Sequence, residues 1–112
     1  MFIFEKAPFP SCHASTIVET PEGLVAAWFG GKHEGSKDVV IWSAVKNGTQ
    51  WSSPVEIANG IQNDTSRFAC WNPVLFKAKN GTLFLHYKVG QNPRTWWAEY
   101  KTSANNGKTW SK

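Results

Sequence analysis

The chain has 112 residues, with 12 Lys and Arg against 8 Asp and Glu, and a formal net charge of +4. This length allows one small domain or two repeats of a larger structure. The basic excess is not gathered into a Lys/Arg block, so we expect no nucleic acid partner. No apolar run approaches the ~20 residues of a membrane-spanning helix, so we expect no membrane contact. Residues 1–10 lack the features of a signal peptide, and the sequence as written predicts a cytoplasmic protein.

Short runs rich in aromatic and β-branched residues follow one another along the chain, each bounded by Gly, Asn or Pro. They predict strands at 15–19, 24–29, 39–43 and 55–57, and again at 73–77, 83–87 and 96–101. Turns at 21–23 and at 80–81 separate the first two strands of each half. No segment combines a sustained helical period with caps, so an all-β fold is predicted.

The second half of the chain repeats the first. The segment SANNGKTWS at 103–111 matches AVKNGTQWS at 44–52, a spacing of 59 in the numbering. Upstream, a spacing of 58 aligns Cys12 with Cys70, Gly23 with Gly81 and Phe29 with Tyr87. A fixed period of this size indicates one supersecondary unit used repeatedly. Four-stranded units of this length are typical of β-propeller blades. We therefore expect blade one at about 11–58, blade two at about 70–112, and a ring-closing strand at 2–5.

Three segments carry a resemblance to a known family. SANNGKTW at 103–110 resembles the Asp-box, S-x-D-x-G-x-T-W, with Asn105 where the aspartate usually stands. The segment 13–42 is similar to the first blade of sialidase-like propellers, and 71–90 to the second. The resemblance implies the first two blades of a sialidase-like BNR-repeat propeller that has six blades when complete. The Asp-box is a structural turn, so Trp51 and Trp110 are expected to be packing residues.

The resemblance also implies a carbohydrate site, in which His13 stands at the position of the family's first substrate-binding arginine. A histidine cannot replace the bidentate fork by which arginine grips a carboxylate. The family's tyrosine nucleophile and its glutamate partner belong to later blades. An acid would come from the loop between the second and third strands, where Asp38 and Glu34 both fit and the alignment does not choose. The resemblance thus implies a sialidase relative with altered chemistry.

One end of a propeller, where loops and inner strands surround the central channel, is where ligands bind. His13 is the predicted proton-transfer residue because imidazole titrates near neutral pH. The candidate catalytic residues are His13, Asp38 and Glu34, and the candidate substrate-binding residues are Lys32, His33, Arg67, Trp71, Asn72 and Lys88.

Each candidate also has a plainer explanation. His13 would alternatively be a hydrogen-bonded structural histidine, and Trp71 would pack between blades. An exposed surface role is open for the remaining cations, which are Lys32, His33, Arg67 and Lys88. His86 is assigned to the core or to the blade interface, because it aligns with Trp28.

Three functions are consistent with these residues. The first is hydrolysis of an acidic glycan. The second is β-elimination of a uronate, with His13 as base and acid and Arg67 neutralising the carboxylate. The third is glycan binding without catalysis. Two blades alone are expected to be an inactive fragment of a longer propeller, and the alternative is a homotrimer that completes a six-bladed ring.

No cofactor is expected, and the histidines and cysteines do not have metal-ligand spacing. Cys12 and Cys70 occupy equivalent positions in successive units, which are usually too far apart for a disulfide. They are interpreted as small buried apolar side chains, with a disulfide as the alternative.

Overall fold

The computed structural model describes residues 3, 7 and 9–111 of the chain. These residues form eight strands and no helix. The strands are β1 (Ser11–Thr20), β2 (Gly23–Gly31), β3 (Val40–Asn47), β4 (Gln50–Trp51), β5 (Val55–Ala58), β6 (Ala69–Lys77), β7 (Leu83–Gly90) and β8 (Trp97–Ser103). The all-β prediction is confirmed, and β4 is the strand that the sequence did not predict. None of the described residues lies in a helix that could span a membrane.

Two antiparallel sheets divide these strands. In the first sheet β1, β2, β3 and β4 are neighbours in that order, and β5 also pairs with β3. The second sheet has the order β6, β7, β8. The predicted ring-closing strand at 2–5 falls largely outside the described residues, which include Ile3 alone of that segment.

The core lies between the two sheets. We call the side of the first sheet that carries Val25, Ala27 and Phe29 its front face, and these three side chains are at most 2% exposed. Alternate residues of β7 pack against the front face, and they are Leu83, Leu85, Tyr87 and Val89. The backbone amide of Leu75 in β6 also donates to the Thr16 hydroxyl in β1, at 3.2 Å. Successive side chains of a strand point to opposite faces of the sheet, so every second side chain lies on the same buried side.

The opposite side of the first sheet, its back face, has a smaller cluster. Ala26, Trp28 and Ala44 are buried there together with Phe9. The ring of Phe9 lies 4.9 Å from that of Trp42, centroid to centroid. The segment before β1 therefore covers part of the back face.

The second strands of the two sheets correspond at a spacing of 59, so the spacing of 58 is wrong for this element. Ile17 pairs with Ala26 in the first sheet, and its equivalent Leu75 pairs with Leu85. The cause is a longer turn. In the first sheet Thr20 pairs with Gly23, so the turn between β1 and β2 contains two residues. In the second sheet the Ala78 N–H donates to the Thr82 carbonyl at 2.9 Å, so the turn between β6 and β7 contains three residues.

A slip of one residue exchanges the two faces of a strand. Trp28 therefore corresponds to Tyr87, and His86 corresponds to Ala27. His86 is exposed on the side of the second sheet that faces away from the first. Its assignment to the core is wrong because the longer turn was not counted, whereas its assignment to a blade interface stays a prediction.

The two cysteines are both free, but only one of them is buried. Cys70 is 0% exposed between the sheets, and its burial raises the pKa of the thiol to about 12. Cys12 is exposed. The prediction of burial is wrong for Cys12, because no described sheet packs against the back face at that position.

Candidate functional site

The two inner strands share a β-bulge at equivalent positions. In β1 the pairing register shifts between His13 and Thr16, and in β6 it shifts between Trp71 and Val74. Ala14, which follows His13, has a positive φ of 56°, and Asn72, which follows Trp71, has a positive φ of 35°. A bulge bends its strand and re-aims a side chain. His13 and Trp71 are thus the equivalent residues placed at the loop end of each sheet.

His13 lies beside Glu34. The His13 Nδ1 atom is 4.0 Å from a carboxylate oxygen of Glu34, and the two side chains are 69% and 59% exposed. On its other side, the imidazole lies 5.7 Å from the Phe29 ring. The structure therefore brings together two of the three predicted catalytic residues, in a position open to solvent.

Asp38, the third candidate, closes the loop between β2 and β3. Its carboxylate accepts the backbone N–H of Lys32, with oxygen distances of 3.1 and 3.2 Å. This hydrogen bond, with a contribution from Ser36 and from the charge of Arg67, lowers the pKa of Asp38 below its ordinary value. The group is ionised near neutral pH, and its hydrogen bonds account for the residue as a loop anchor.

Arg67 joins this loop to the loop between the sheets. Its Nε donates to the carbonyl of Lys37 at 2.7 Å. This hydrogen bond connects the loop at 59–68 with the loop at 32–39. Arg67 is half-buried, whereas Lys32 and His33 are exposed. The His33 Nδ1 atom lies 3.2 Å from the Glu34 carbonyl. One guanidinium edge of Arg67 thus holds the loops together at the site end.

Trp71 is largely enclosed. The side chain is 7% exposed, and its Nε1 donates to the Gly90 carbonyl at 2.9 Å. Its ring lies 6.1 Å from that of Phe29 and 5.6 Å from that of Trp96. These contacts favour the packing alternative over an open sugar platform, because an enclosed ring offers little face to a ligand. Asn72, next to it, is exposed.

Trp96, which is not among the predicted site residues, also lies at this end. It contacts Trp71, and the Lys88 ammonium lies 5.9 Å from its ring centroid. Gly90 is required opposite it, because a Cβ there would lie 2.6 Å from the Trp96 Cα atom. The sequence feature that corresponds to this contact is a glycine, Gly90, followed by Trp96 in the same loop.

A tyrosine–glutamate pair also occurs within the second sheet. The Tyr87 hydroxyl donates to Glu99 at 3.3 Å, and Trp97 Nε1 donates to the other carboxylate oxygen at 2.7 Å. Tyr87 is 2% exposed, and burial followed by the Glu99 charge raises the pKa of its hydroxyl. A buried phenol with a raised pKa is a poor nucleophile. The pair is explained by packing between the sheets.

Among residues 3, 7 and 9–111 there is no group of three His, Cys, Asp or Glu side chains that could hold a metal ion. The site end instead has two clusters. His13 and Glu34 form one, and Asp38, Lys32 and Arg67 form the other.

Comparison with known proteins agrees with this architecture. No curated protein matches the chain. A crystal structure of a protein of unknown function from Dyadobacter fermentans DSM 18053 is similar, with a TM-score of 0.67 and 14% sequence identity. The similarity covers 90% of this chain and 35% of that protein, so this chain spans about a third of its length. At this identity the similarity concerns the fold alone.

A family model described as a BNR repeat-like domain matches residues 22–112, which is more than half of the chain. The match agrees with the resemblance to sialidase-like BNR repeats in the sequence, and it implies a propeller-like fold for the two antiparallel sheets. The chain belongs to the BNR repeat-like domain family.

Proposed function

We propose that the protein acts on an acidic oligosaccharide or polysaccharide, bound at the end of the sheets where β1 and β6 begin. The observation that carries the proposal is the His13–Glu34 pair, 4.0 Å apart and exposed. An imidazole beside a carboxylate, open to a ligand, is suited to proton transfer. Of the candidate catalytic residues, His13 and Glu34 have side chains available to a sugar.

The charge at this end supports an acidic ligand. Arg67, Lys32 and Lys88 all come from the segments that form it, and the whole chain has a net charge of +4. Cations around a site raise the local concentration of an anionic ligand. Arg67 and Lys88 are the candidates for pairing with a uronate or sialate carboxylate.

Cleavage by this site would follow one of two routes. In hydrolysis, water adds across the glycosidic bond and a protein acid protonates the leaving oxygen. In β-elimination, His13 removes the proton next to the carboxylate, and the glycosidic oxygen leaves from the neighbouring carbon and takes up a proton. Only elimination leaves a carbon–carbon double bond conjugated with the carboxylate. Ultraviolet absorbance of the products therefore distinguishes the two routes.

The test is turnover of acidic polysaccharides by His13→Ala. We expect turnover to fall by about 10²–10⁴-fold, the range for loss of a proton-transfer group, while carbohydrate binding changes little. His86→Ala is the matched control, since that histidine lies on the exposed side of the second sheet away from this end. Equal turnover by wild type and His13→Ala would contradict the proposal.

A second candidate function, glycan binding without catalysis, is favoured by the state of Asp38. The carboxylate is held by the Lys32 backbone amide at 3.1 and 3.2 Å and anchors the loop, so it is not available as the acid that cleavage requires. Wild type would then bind an acidic glycan and release no product from it. In that case His13→Ala would keep the wild-type affinity, and Arg67→Ala would lose part of it.

Assembly is a further part of this proposal. The homotrimer suggested by the repeat would supply six sheets around one channel. A solution mass of three times 12.5 kDa, measured by light scattering behind a sizing column, would support it. A chain of 12.5 kDa that shows no activity would support the fragment hypothesis instead.

A further inference from the structure

The chain contains four Asn-Gly dipeptides, at 47–48, 59–60, 80–81 and 106–107. Glycine has no side chain to hinder its own backbone nitrogen, so this nitrogen can reach the side-chain carbonyl of the asparagine before it. Attack on that carbonyl expels ammonia and needs no enzyme. Because the dipeptides are identical, any difference in their reactivity comes from the fold around each one.

The dipeptide at 106–107 is held at both of its reacting groups. The Gly107 N–H donates to the Ser103 hydroxyl at 2.9 Å, and Ser103 is 2% exposed. The side-chain amide of Asn106 donates to the Glu22 carboxylate at 2.6 Å. Both hydrogen bonds must break before the glycine nitrogen can attack.

The dipeptide at 80–81 is held within its own turn. The Gly81 N–H donates to the Ala78 carbonyl at 2.9 Å. The side-chain oxygen of Asn80 accepts the N–H of Thr82 at 3.0 Å. The attacking nitrogen and the carbonyl under attack are therefore both engaged here as well.

The dipeptide at 59–60 is held by its side chain and by burial. The side-chain oxygen of Asn59 accepts the N–H of Ile61 at 3.0 Å, and its amide donates to Glu56 at 3.2 Å. Gly60 is buried, and a Cβ there would overlap the carbonyl of Phe68. This asparagine is not free to turn toward the glycine nitrogen.

The dipeptide at 47–48 lacks all of these restraints. Asn47 and Gly48 are both exposed. Within residues 3, 7 and 9–111, neither the Gly48 N–H nor the Asn47 side chain has a hydrogen-bond partner. A Cβ at Gly48 would meet nothing within 4 Å. The attacking nitrogen and the carbonyl are thus both open to water.

The hairpins that contain 47–48 and 106–107 begin and end at equivalent residues. The Ser52 hydroxyl accepts the N–H of Val45 at 2.9 Å, and the Ser111 hydroxyl accepts the N–H of Thr102 at 2.9 Å. Six residues lie between these anchors in the first hairpin, 46–51, and eight lie between them in the second, 103–110. The first hairpin is therefore two residues shorter.

This difference in length explains why the Gly48 N–H is open. The longer hairpin forms a loop in which the hydroxyl of Ser103, its first residue, reaches Gly107. The shorter hairpin has Lys46 as its first residue, which has no hydroxyl to offer. The exposure of the Gly48 N–H depends on residues of the hairpin itself, whatever lies beside the first sheet.

We propose that Asn47 is a site of spontaneous deamidation, with water as the only other reactant. The Gly48 nitrogen loses its proton and bonds to the side-chain carbonyl carbon of Asn47, and the side-chain nitrogen leaves with that proton as ammonia. Water then opens the cyclic imide. Breaking the bond from the nitrogen to the side-chain carbonyl gives aspartate, and breaking the bond to the main-chain carbonyl gives isoaspartate.

The short strand β4 allows the turn to change its backbone during this attack. It pairs with β3 through Lys46 with Trp51 and Asn47 with Gln50. A strand end held by so few pairs opens at little cost in free energy. Isoaspartate adds a carbon to the main chain here, so the pairs cannot form again in the same register. Trp51, which packs on the cluster of the back face, should then be held less firmly.

The test follows all four dipeptides of the purified chain during incubation in mildly alkaline buffer at physiological temperature. Peptide mass spectrometry measures, at each asparagine, the replacement of the amide by a carboxyl group. We expect Asn47 to convert at least about tenfold faster than each of the other three, because those must first lose a hydrogen bond. In denaturant the four should convert at similar rates, since the fold no longer distinguishes them.

Two variants test the assignment and its cause. Asn47→Gln has a side chain too long to form the five-membered imide, so it should abolish conversion at this position and leave the other three unchanged. Ser103→Ala frees the Gly107 N–H and should raise conversion at Asn106 about tenfold, while Asn80 serves as the matched control. Equal rates at the four dipeptides of the folded chain would overturn the proposal. So would faster conversion at any dipeptide other than 47–48, or an unchanged rate at Asn106 in Ser103→Ala.

Discussion

Glu34 and Asp38 lie four residues apart in the same loop and have different surroundings. The Asp38 carboxylate accepts the Lys32 amide, whereas the Glu34 carboxylate faces His13 in solvent. The difference arises because the loop turns back on itself, with Val39 N–H bonded to the Ser36 carbonyl at 3.0 Å. Sequence spacing could not distinguish the two acids, since both stand in the same short polar segment.

At this scale we predict that Asp38 makes the stability of the protein depend on acidic pH. The pKa of Asp38 is lowered in the folded protein, so its contribution is present above the ordinary aspartate pKa of about 3.9 and is lost as the pH falls through the folded pKa. Asp38→Asn removes this dependence. We expect wild type to have the higher Tm at about pH 7 and to lose that advantage progressively as the pH falls below about 3.9.

Thermal unfolding of both proteins across this range measures the effect. Asp64→Asn, at an exposed acid of the 59–68 loop, is the control. A Tm difference between wild type and Asp38→Asn that does not vary with pH would contradict the prediction.

At the scale of elements, the turn between β6 and β7 decides what each residue of β7 faces. The turn contains Gly81 with a φ of 92°, in a three-residue connection in place of two. One added residue turns Leu85 toward the first sheet and His86 away from it. The hairpin at 103–110 is held by its own polar groups, because the Ser103 hydroxyl donates to the Asn105 side-chain oxygen and accepts the Gly107 amide.

We therefore predict opposite results for two neighbouring substitutions in β7. Leu85 is 0% exposed, and Leu85→Ala should lower the free energy of unfolding by about 2–5 kcal/mol. His86→Ala should change it by less than about 0.5 kcal/mol, as is usual for exposed positions. Urea unfolding measures both. Similar losses for the two variants would mean that the spacing of 58 was right for this strand and that His86 is buried.

At the scale of the whole molecule, the two sheets stack front to back. The side of the second sheet that carries His86 corresponds to the front face of the first, and it has no described sheet over it. Three apolar side chains there are more than half exposed, Val74 at 52%, Phe76 at 58% and Tyr100 at 63%. An apolar patch of this kind marks an interaction surface or a tendency to aggregate.

This surface predicts that the isolated chain associates in solution. Phe76→Lys should raise the concentration at which association begins, without lowering the Tm, because the substituted side chain is exposed in the monomer. Light scattering over a range of concentrations tests this. Lys77→Glu, at an exposed neighbour on the same strand, controls for an effect of charge alone. Association that is the same in wild type and Phe76→Lys would show that another surface is responsible.

The sequence by itself determined the all-β fold, the position of seven of the eight strands and the internal repeat. It could do so because strand alternation, turn residues and a repeated hairpin are local properties that each segment carries without its neighbours. It also pointed to the loop end of the sheets, where His13 and Glu34 meet.

Only the tertiary structure decided which face of each strand is covered. Alternation shows that a strand has two faces, but what covers each face depends on another sheet that is distant along the chain. For this reason Cys70 is buried and Cys12 is exposed at equivalent positions, and Trp71 is enclosed by Phe29 and Trp96.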